Sequence, residues 1–431
     1  MRTLIKNVSV LPMTGRTDLI KSGYIAISGR QIESVGAETI DESGFDRVID
    51  GKDRLAMPGL VNAHTHVAMA LLRGYADDLP LMEWLEKHIW PMEDRLSPED
   101  IYWGSLLGMA EMIKSGTTCL ADMYFHVDQI ARAADKSGLR AVLSRGMVGI
   151  GPESEQAIAD SRALVADWNE YDQGRIKIML GPHAPYTCPP EYLKRVIALS
   201  DELRVGIHIH LSETRTEFHD ITQQYGHTPI GLMNSLGLFK RPVLAAHCVH
   251  LIDDDIKTLA DYQVGVAHNP ISNMKLASGV ARVPEMLSAG LAVALGTDGP
   301  ASNNNLDMFE EMRASALLHK VQSMDPMVVP AYQALTMGIG NGAKALGMSE
   351  QIGQLKPGYQ ADLILVDFDQ AHLVPNYDSI SHLVYAARGS DVDTVIVAGQ
   401  ILMESKQLTT INEAEVIAQV RERVARLTAN G

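Results

Sequence analysis

Four short stretches of this chain carry side chains that can gather around a metal ion. His64 and His66 stand two apart in His64-Thr65-His66, and His210 opens His210-Leu211-Ser212-Glu213. His247 ends the run Val243-Leu244-Ala245-Ala246, and Asp298 lies in Gly296-Thr297-Asp298-Gly299. Imidazole nitrogens and a carboxylate oxygen suit Zn2+, with an open position left for water. Zinc lowers the pKa of such a water to about 7, so hydroxide becomes accessible at neutral pH. Glu213, three residues beyond His210, can take a proton from that water and deliver it elsewhere. Singly, each residue has a plainer reading as a surface pair, a satisfied core histidine or a solvated glutamate. Their shared position at the ends of apolar runs favours the chemical one.

Those runs recur through the middle of the chain. Residues 60–64, 117–122, 140–144, 176–180, 205–210, 243–247, 264–268 and 292–297 are compact and apolar. Amphipathic stretches such as 102–114, which Gly116 can stop, separate them. Buried parallel strands alternating with helices produce this pattern. Eight such units predict a (β/α)8 TIM barrel over residues 58–345, an open doubly wound sheet being the alternative. In a barrel every C-terminal strand end meets on one rim, so four distant stretches can build one site. Alternate residues of a strand face the same way, so His64 and His66 can turn to one ion. The fourth strand runs into Gly181-Pro182-His183 and has no lysine at its rim, Lys177 lying inside it. Two-metal hydrolases built on such a barrel commonly bridge their ions with a modified lysine at that strand end; its absence here favours one ion.

The ends of the chain read as β structure. Residues 3–11, 24–28 and 32–35 are short β-prone runs, and 362–367 and 393–398 have the same character. We expect residues 1–57 and 346–431 to form one small β-sandwich domain, closed by a C-terminal helix over 412–428. The chain has 431 residues, is 46% hydrophobic and carries a net charge of −16. That is enough to bury a large core, and the acidic balance disfavours nucleic acid and anionic membranes as partners. Lys6 interrupts the N-terminal apolar stretch, no run approaches a membrane span, and the three cysteines, Cys119, Cys188 and Cys248, are too few for a disulfide framework. A cytoplasmic protein is expected. Cys248 reads as a packing residue; His208 shares a face with His210 but sits deeper in its strand and is not expected to be a ligand; His268 reads as a rim residue or, at least as readily, as packing or support for a neighbour.

The motifs PGLVNAHTH (58–66), HLSE (210–213), AAHCVH (245–250) and GTDG (296–299) together resemble the amidohydrolase superfamily. GQLKPGYQADLILVD (353–367) is similar to the C-terminal part of its split β-domain, so the likeness covers nearly the whole chain. Within the superfamily, residues 71–97, DMYFH (122–126), SRG (144–146), GPHAPYTCP (181–189) and residues 296–313 look like those of the 5′-methylthioadenosine/S-adenosylhomocysteine deaminases. The resemblance implies that His64, His66, His210 and Asp298 hold one Zn2+ per subunit, a site that Fe2+ or Mn2+ can also use. It implies that Glu213 shuttles protons, that His247 hydrogen-bonds the attacking water and the oxyanion formed from it, and that Asp298 also accepts the water's proton. Trp84 would pack on the substrate, Glu93 would bind the ribose diol, His183 would contact the nucleoside near its base, and Arg145 would be a further binding residue. The reaction would turn the adenine ring into hypoxanthine with release of ammonia. Superfamily members are often dimers or tetramers, so a homo-oligomer is expected.

One departure bears on the substrate. Residues 147–160 contain neither arginine nor lysine, where relatives that accept a homocysteine tail can place a second arginine. This tilts the expectation to methylthioadenosine over S-adenosylhomocysteine, with adenosine also open. The alternatives are deamination of guanine, cytosine or a pterin, hydrolysis of a triazine, and a scaffold without activity. The full ligand set plus Glu213 disfavours the last.

Overall fold

The computed structural model describes residues 1–429 apart from 17, 38 and 39. Its centre is a run of eight parallel strands: Leu60–Thr65, Thr117–Tyr124, Arg140–Met147, Ile176–Pro182, Ile207–Leu211, Val243–His247, Gly265–His268 and Val293–Leu295. Each overlaps a stretch expected to be a strand. A parallel bridge between Thr65 and Asp298 brings the last strand round to the first, and the Asp298 N–H donates to the His64 carbonyl at 3.0 Å. The sheet therefore closes as a barrel.

Local sequence explains the alternation. The helix Pro98–Lys114 starts at Ser97, whose side chain and that of Asp100 cap each other's backbone, a reciprocal arrangement that satisfies two free helical donors. The helix buries Ile101, Met109, Met112 and Ile113. It ends as expected before Gly116, whose φ of 87° suits a residue without Cβ. The second strand starts at once.

Both ends of the chain build one nine-stranded mixed sheet. The strand Arg54–Pro58 pairs antiparallel with Leu363–Asp367, which joins the two halves. Ile5, Ile25, Ile27, Leu363, Leu365 and Ile396 share one apolar cluster. The short strands Arg47–Asp50, Arg54–Pro58, Gln400–Glu404 and Gln407–Leu408 were not anticipated; their charged and polar residues hide the apolar alternation. The C-terminal helix Glu413–Ala429 lies along the first barrel helix, where Glu413 meets Lys114 at 2.7 Å and Arg423 meets Glu99 at 2.6 Å. Among the described residues, no helix is long and apolar enough to cross a membrane.

One ion pair ties the sheet to the barrel floor. Arg140, at the start of the third barrel strand, and Asp362 are both buried. Their contact is two-pronged, Nε to Oδ2 at 2.7 Å and Nη2 to Oδ1 at 3.0 Å. Asp362 Oδ1 also accepts the Ala398 N–H at 2.7 Å. Breaking such a pair strands a charge at a cost of about 3–5 kcal/mol, whereas replacing both partners by apolar groups costs far less. Asp362→Ala should therefore lower stability to urea by ~3–5 kcal/mol, and adding Arg140→Met should recover most of that loss. Equal losses in single and double variants would show that the pair does not couple the two units.

Candidate active site

Strand register decides which side chains meet inside the barrel. His208 pairs with Leu244 and His210 with Ala246, Ala246 with Ala267, and Ala267 with Ala294. Paired residues on neighbouring parallel strands face the same side. Leu244, Ala267 and Ala294 lie in an apolar cluster with Val61, Ala63 and Ala121. These small residues fill the lower barrel and leave room above for imidazoles. Gly296 completes the fit, because a Cβ there would come within 2.8 Å of the His64 amide nitrogen.

At the upper rim the metal-capable side chains converge. The donor atoms of His64, His66 and Asp298 lie within 4.8 Å of one another, as do those of His64, His210 and His247. Asp298 Oδ1 is 3.4 Å from His64 Nε2 and 3.2 Å from His66 Nε2, and His210 Nε2 is 3.4 Å from His66 Nε2. Each ring is oriented by a bond from its other nitrogen. His66 Nδ1 donates to the Met123 carbonyl at 2.5 Å, and His210 Nδ1 to the His183 carbonyl at 2.7 Å. His247 Nδ1 donates to Asn273 Oδ1 at 2.9 Å. Ser272 and Ser302 hydroxyls donate to Asp298 Oδ2 at 2.6 and 3.0 Å.

His64 is fixed by a longer chain. The Ser144 hydroxyl donates to the Asp122 carbonyl at 2.9 Å, so it accepts from His208 Nδ1 at 3.0 Å. Neutral His208 then offers its Nε2 lone pair to His64 Nδ1–H at 2.9 Å. That leaves a bare lone pair on His64 Nε2, a buried nitrogen with no hydrogen-bond partner. Outer hydrogen bonds commonly fix metal-binding histidines this way. This donor set fits a borderline cation such as Zn2+.

Electrostatics agree with that reading. Burial pushes His64 down to about 3 and holds His210 well below the ordinary histidine range. Burial opposes the charge on His66, but the Asp298 carboxylate outweighs it and raises His66 to about 9. Burial likewise opposes ionisation of Asp298, yet the imidazoles of His64 and His66 beside it keep it well below the usual carboxylate range. A cation would replace the proton these groups share. Three residues of the site also hold left-handed backbone, with φ of 53° at Ser212, 70° at His247 and 63° at Asp298. Non-glycine residues adopt such values at a cost of about 1–3 kcal/mol and cluster at functional sites.

A cavity of about 900 Å3 opens above the cluster, and His66, His210, His247 and Asp298 line it while His64 lies beneath. Trp84, Glu93, Arg145, His183 and Glu213 line the same cavity. Glu213 Oε2 is 3.8 Å from His247 Nε2, and burial raises its pKa. Burial also raises Glu93 to about 7 against the opposing bond from Tyr124, whose hydroxyl donates to Glu93 Oε1 at 2.5 Å. Arg145 Nε reaches Asp160 Oδ2 at 3.4 Å. His183 Nδ1 meets Thr187 Oγ1 at 2.9 Å.

Sequence reasoning passed over several supports. His208 shares a face with His210, but its depth in the strand gives no sign that it orients His64. Asn273 and Ser272 follow strand seven in His268-Asn269-Pro270-Ile271-Ser272-Asn273, and nothing in their spacing showed that they reach His247 and Asp298. Glu217 carries a like hidden role. Its two carboxylate oxygens accept the N–H groups of Ser212 and Glu213, each at 2.8 Å, and clamp the turn that carries Glu213. His268 does not join the cluster; its Nε2 meets His319 Nε2 at 3.2 Å. All three cysteines are free and buried.

Comparison with known proteins agrees with this geometry. A model of the amidohydrolase family matches residues 55–402. A 5-methylthioadenosine/S-adenosylhomocysteine deaminase of Syntrophomonas wolfei is 58% identical over 428 residues, 99% of each chain. A zinc-bound adenosine deaminase from Xanthomonas campestris superposes with a TM-score of 0.95 at 35% identity, covering 99% of this chain and 98% of that one. A zinc complex of atrazine chlorohydrolase from Arthrobacter aurescens has a TM-score of 0.91 at 24% identity, over 98% of this chain and all of that one, and shares the fold. By family match and by near-full-length identity, the chain belongs to the amidohydrolase family.

Proposed function

We propose that this protein is a metal-dependent aminohydrolase that deaminates the adenine ring of 5′-methylthioadenosine, and to a lesser degree S-adenosylhomocysteine or adenosine. The observation that carries this reading is the placement of Glu213, buried 3.8 Å from His247, in one cavity with Trp84 and Glu93. The 58% identical relative from Syntrophomonas wolfei, named for the same chemistry, supports it.

His64, His66, His210 and Asp298 would hold one cation, zinc by preference with Fe2+ or Mn2+ able to use the same donors. The ion, when bound, supplies Lewis acidity that lets water ionise near pH 7. Glu213 holds a proton at neutral pH more readily than an exposed glutamate, because burial disfavours its charged form. It passes that proton to a ring nitrogen of the purine, which makes C6 electrophilic. His247 is held by Asn273 with Nε2 facing the cavity and hydrogen-bonds the oxygen that adds to C6. Asp298 accepts the proton that this water gives up. Asp298 passes that proton to the exocyclic amine and Glu213 takes back the proton left on the C6 oxygen, so the tetrahedral carbon collapses, the C–N bond breaks, and water and the adenine nucleoside become the hypoxanthine nucleoside and ammonia.

Specificity comes from the cavity wall. Trp84 offers a broad apolar face to a neutral purine or thioether. Glu93, with one oxygen steadied by Tyr124, retains lone pairs for the two ribose hydroxyls. His183 lies beside His210, with ring centroids 4.9 Å apart, and takes the base edge. Arg145 is engaged by Asp160, and no cation of 147–160 is available for an amino-acid carboxylate. A neutral methylthio tail therefore suits the cavity better than a homocysteine tail. We assign the protein to the cytoplasm, in keeping with three free buried cysteines.

Three experiments test the reading. Ammonia release should be fast with 5′-methylthioadenosine, slower with S-adenosylhomocysteine and negligible with free adenine. Glu93→Ala should raise KM for the nucleosides by ten-fold or more. Ammonia from adenine as fast as from the nucleosides would contradict the diol role of Glu93. Glu213→Gln should cut kcat on the order of 10²–10⁴-fold and leave zinc content unchanged. A variant with near-normal kcat would remove Glu213 from the proton path.

A further inference from the structure

We propose that Glu311 is a positioning residue for the site: one buried carboxyl group that sets where His247 and Asp298 stand relative to each other. Its kinetic consequences rest on the deamination proposed above; its geometry does not. Glu311 lies on helix Met308–Ser323, is fully buried and does not line the catalytic cavity. Its two oxygens reach two different loops. Oε1 accepts from Asn303 Nδ2 at 2.5 Å, and Oε2 accepts the Ile271 N–H at 3.4 Å. The Asn303 nitrogen also donates to the Thr297 carbonyl at 2.8 Å. That carbonyl can only accept, so the amide orientation is settled and Glu311 must be an acceptor as well.

Each contact adjoins a residue that holds the site. Ser302 precedes Asn303 and donates to Asp298. Ser272 and Asn273 follow Ile271 and hold Asp298 and His247. Glu311 therefore joins the short helices Pro270–Lys275 and Pro300–Asn303, which follow barrel strands seven and eight, at one point behind the cavity. These loops are far apart in sequence, and a shared anchor fixes the spacing between the groups they carry. A shift of about 1 Å in such groups can cost on the order of 10²-fold in rate. Glu217 clamps the turn of Glu213 in the same manner, so the fold uses the device twice.

Packing does not account for the residue. Met308, Met312 and Ala316 supply the helix with buried apolar contacts. Glu311, Ser315 and His319 follow the spacing i, i+4, i+8 and are also buried, a polar stripe that an apolar core would not select. Burial pushes Glu311 up to about 8, and holding a carboxyl group there costs stability. Both of its oxygens keep lone pairs whether or not it is ionised, whereas glutamine keeps an acceptor on one side only. Trp84 and Glu93 lie on other elements, so a change at Glu311 reaches the reacting groups and not the grip on the nucleoside.

Glu311→Gln tests this, because it preserves shape and turns an NH2 towards one of the two donors. Per bound metal ion, kcat with 5′-methylthioadenosine should fall ~10–100-fold, the usual effect of losing an outer partner at such a site. KM should stay within about three-fold, since ground-state binding is untouched. A readout without substrate comes from loading the protein with Co2+: the visible absorption bands of the variant should shift from those of wild type as Asp298 moves. Asn303→Ala breaks the same contact from the other side and should give the same two changes. The double variant should lose no more than either single one. A wild-type cobalt spectrum in both single variants would overturn the proposal whatever the rates, as would a wild-type kcat or losses that multiply in the double variant. Failure of both variants to fold would make the role structural and would also overturn it. A wild type that releases ammonia from no nucleoside would remove the proposed reaction and leave the cobalt spectra to decide the role of Glu311.

Discussion

Everything at the rim depends on keeping four imidazoles and a carboxylate close together in a dry place with their lone pairs turned inward. Left alone, such a cluster is unfavourable, since buried polar atoms without partners are costly. The fold manages this by giving each ring a bond at its outer nitrogen: Met123 for His66, His183 for His210, Asn273 for His247, and the His208–Ser144–Asp122 chain for His64. What remains unpaired is the inward nitrogen, most plainly His64 Nε2. A cation satisfies that residue of lone pairs. The left-handed φ values at Ser212, His247 and Asp298 show backbone energy spent at the same rim, which the close-packed barrel below can hold.

That lower barrel is apolar where the rim is polar. Small inward residues such as Ala121, Ala267 and Ala294 give way upward to Ser144, His208 and then the cluster of imidazoles and Asp298. The floor is closed by the second unit, through the buried pairing of Arg140 with Asp362. Strand ends can thus be tuned for chemistry because rigidity comes from beneath them, the usual division of labour in a (β/α)8 barrel. The residues proposed to set specificity sit on different elements again. Trp84 and Glu93 come from the short helices Leu81–Trp84 and Trp90–Glu93, outside the barrel strands.

The eight barrel strands were legible in the sequence because a strand buried on both faces must be apolar throughout. The metal-capable residues that converge at the rim were legible because they break that rule at strand ends, as His210 and His247 do. Residues whose role is to hold another residue were not. Asn273 and Ser272 look like ordinary helix residues until the barrel brings them under His247 and Asp298. His208 resembles a core histidine, which it is, and its effect on His64 passes through a hydrogen bond no spacing rule describes. The strands Arg47–Asp50 and Gln407–Leu408 were hidden for a different reason. Their partners in the sheet, not their own composition, make them strands.

The most direct test of the account is zinc content and affinity measured on wild type beside His208→Leu. The substitution removes the acceptor that turns the His64 lone pair inward and touches none of the four proposed ligands. The account predicts one zinc per chain in the wild type, and affinity weakened by ~10–100-fold in the variant, the usual cost of losing an outer hydrogen bond to a metal-binding histidine. Two ions per chain, none, or a variant that binds zinc as tightly as the wild type would contradict it.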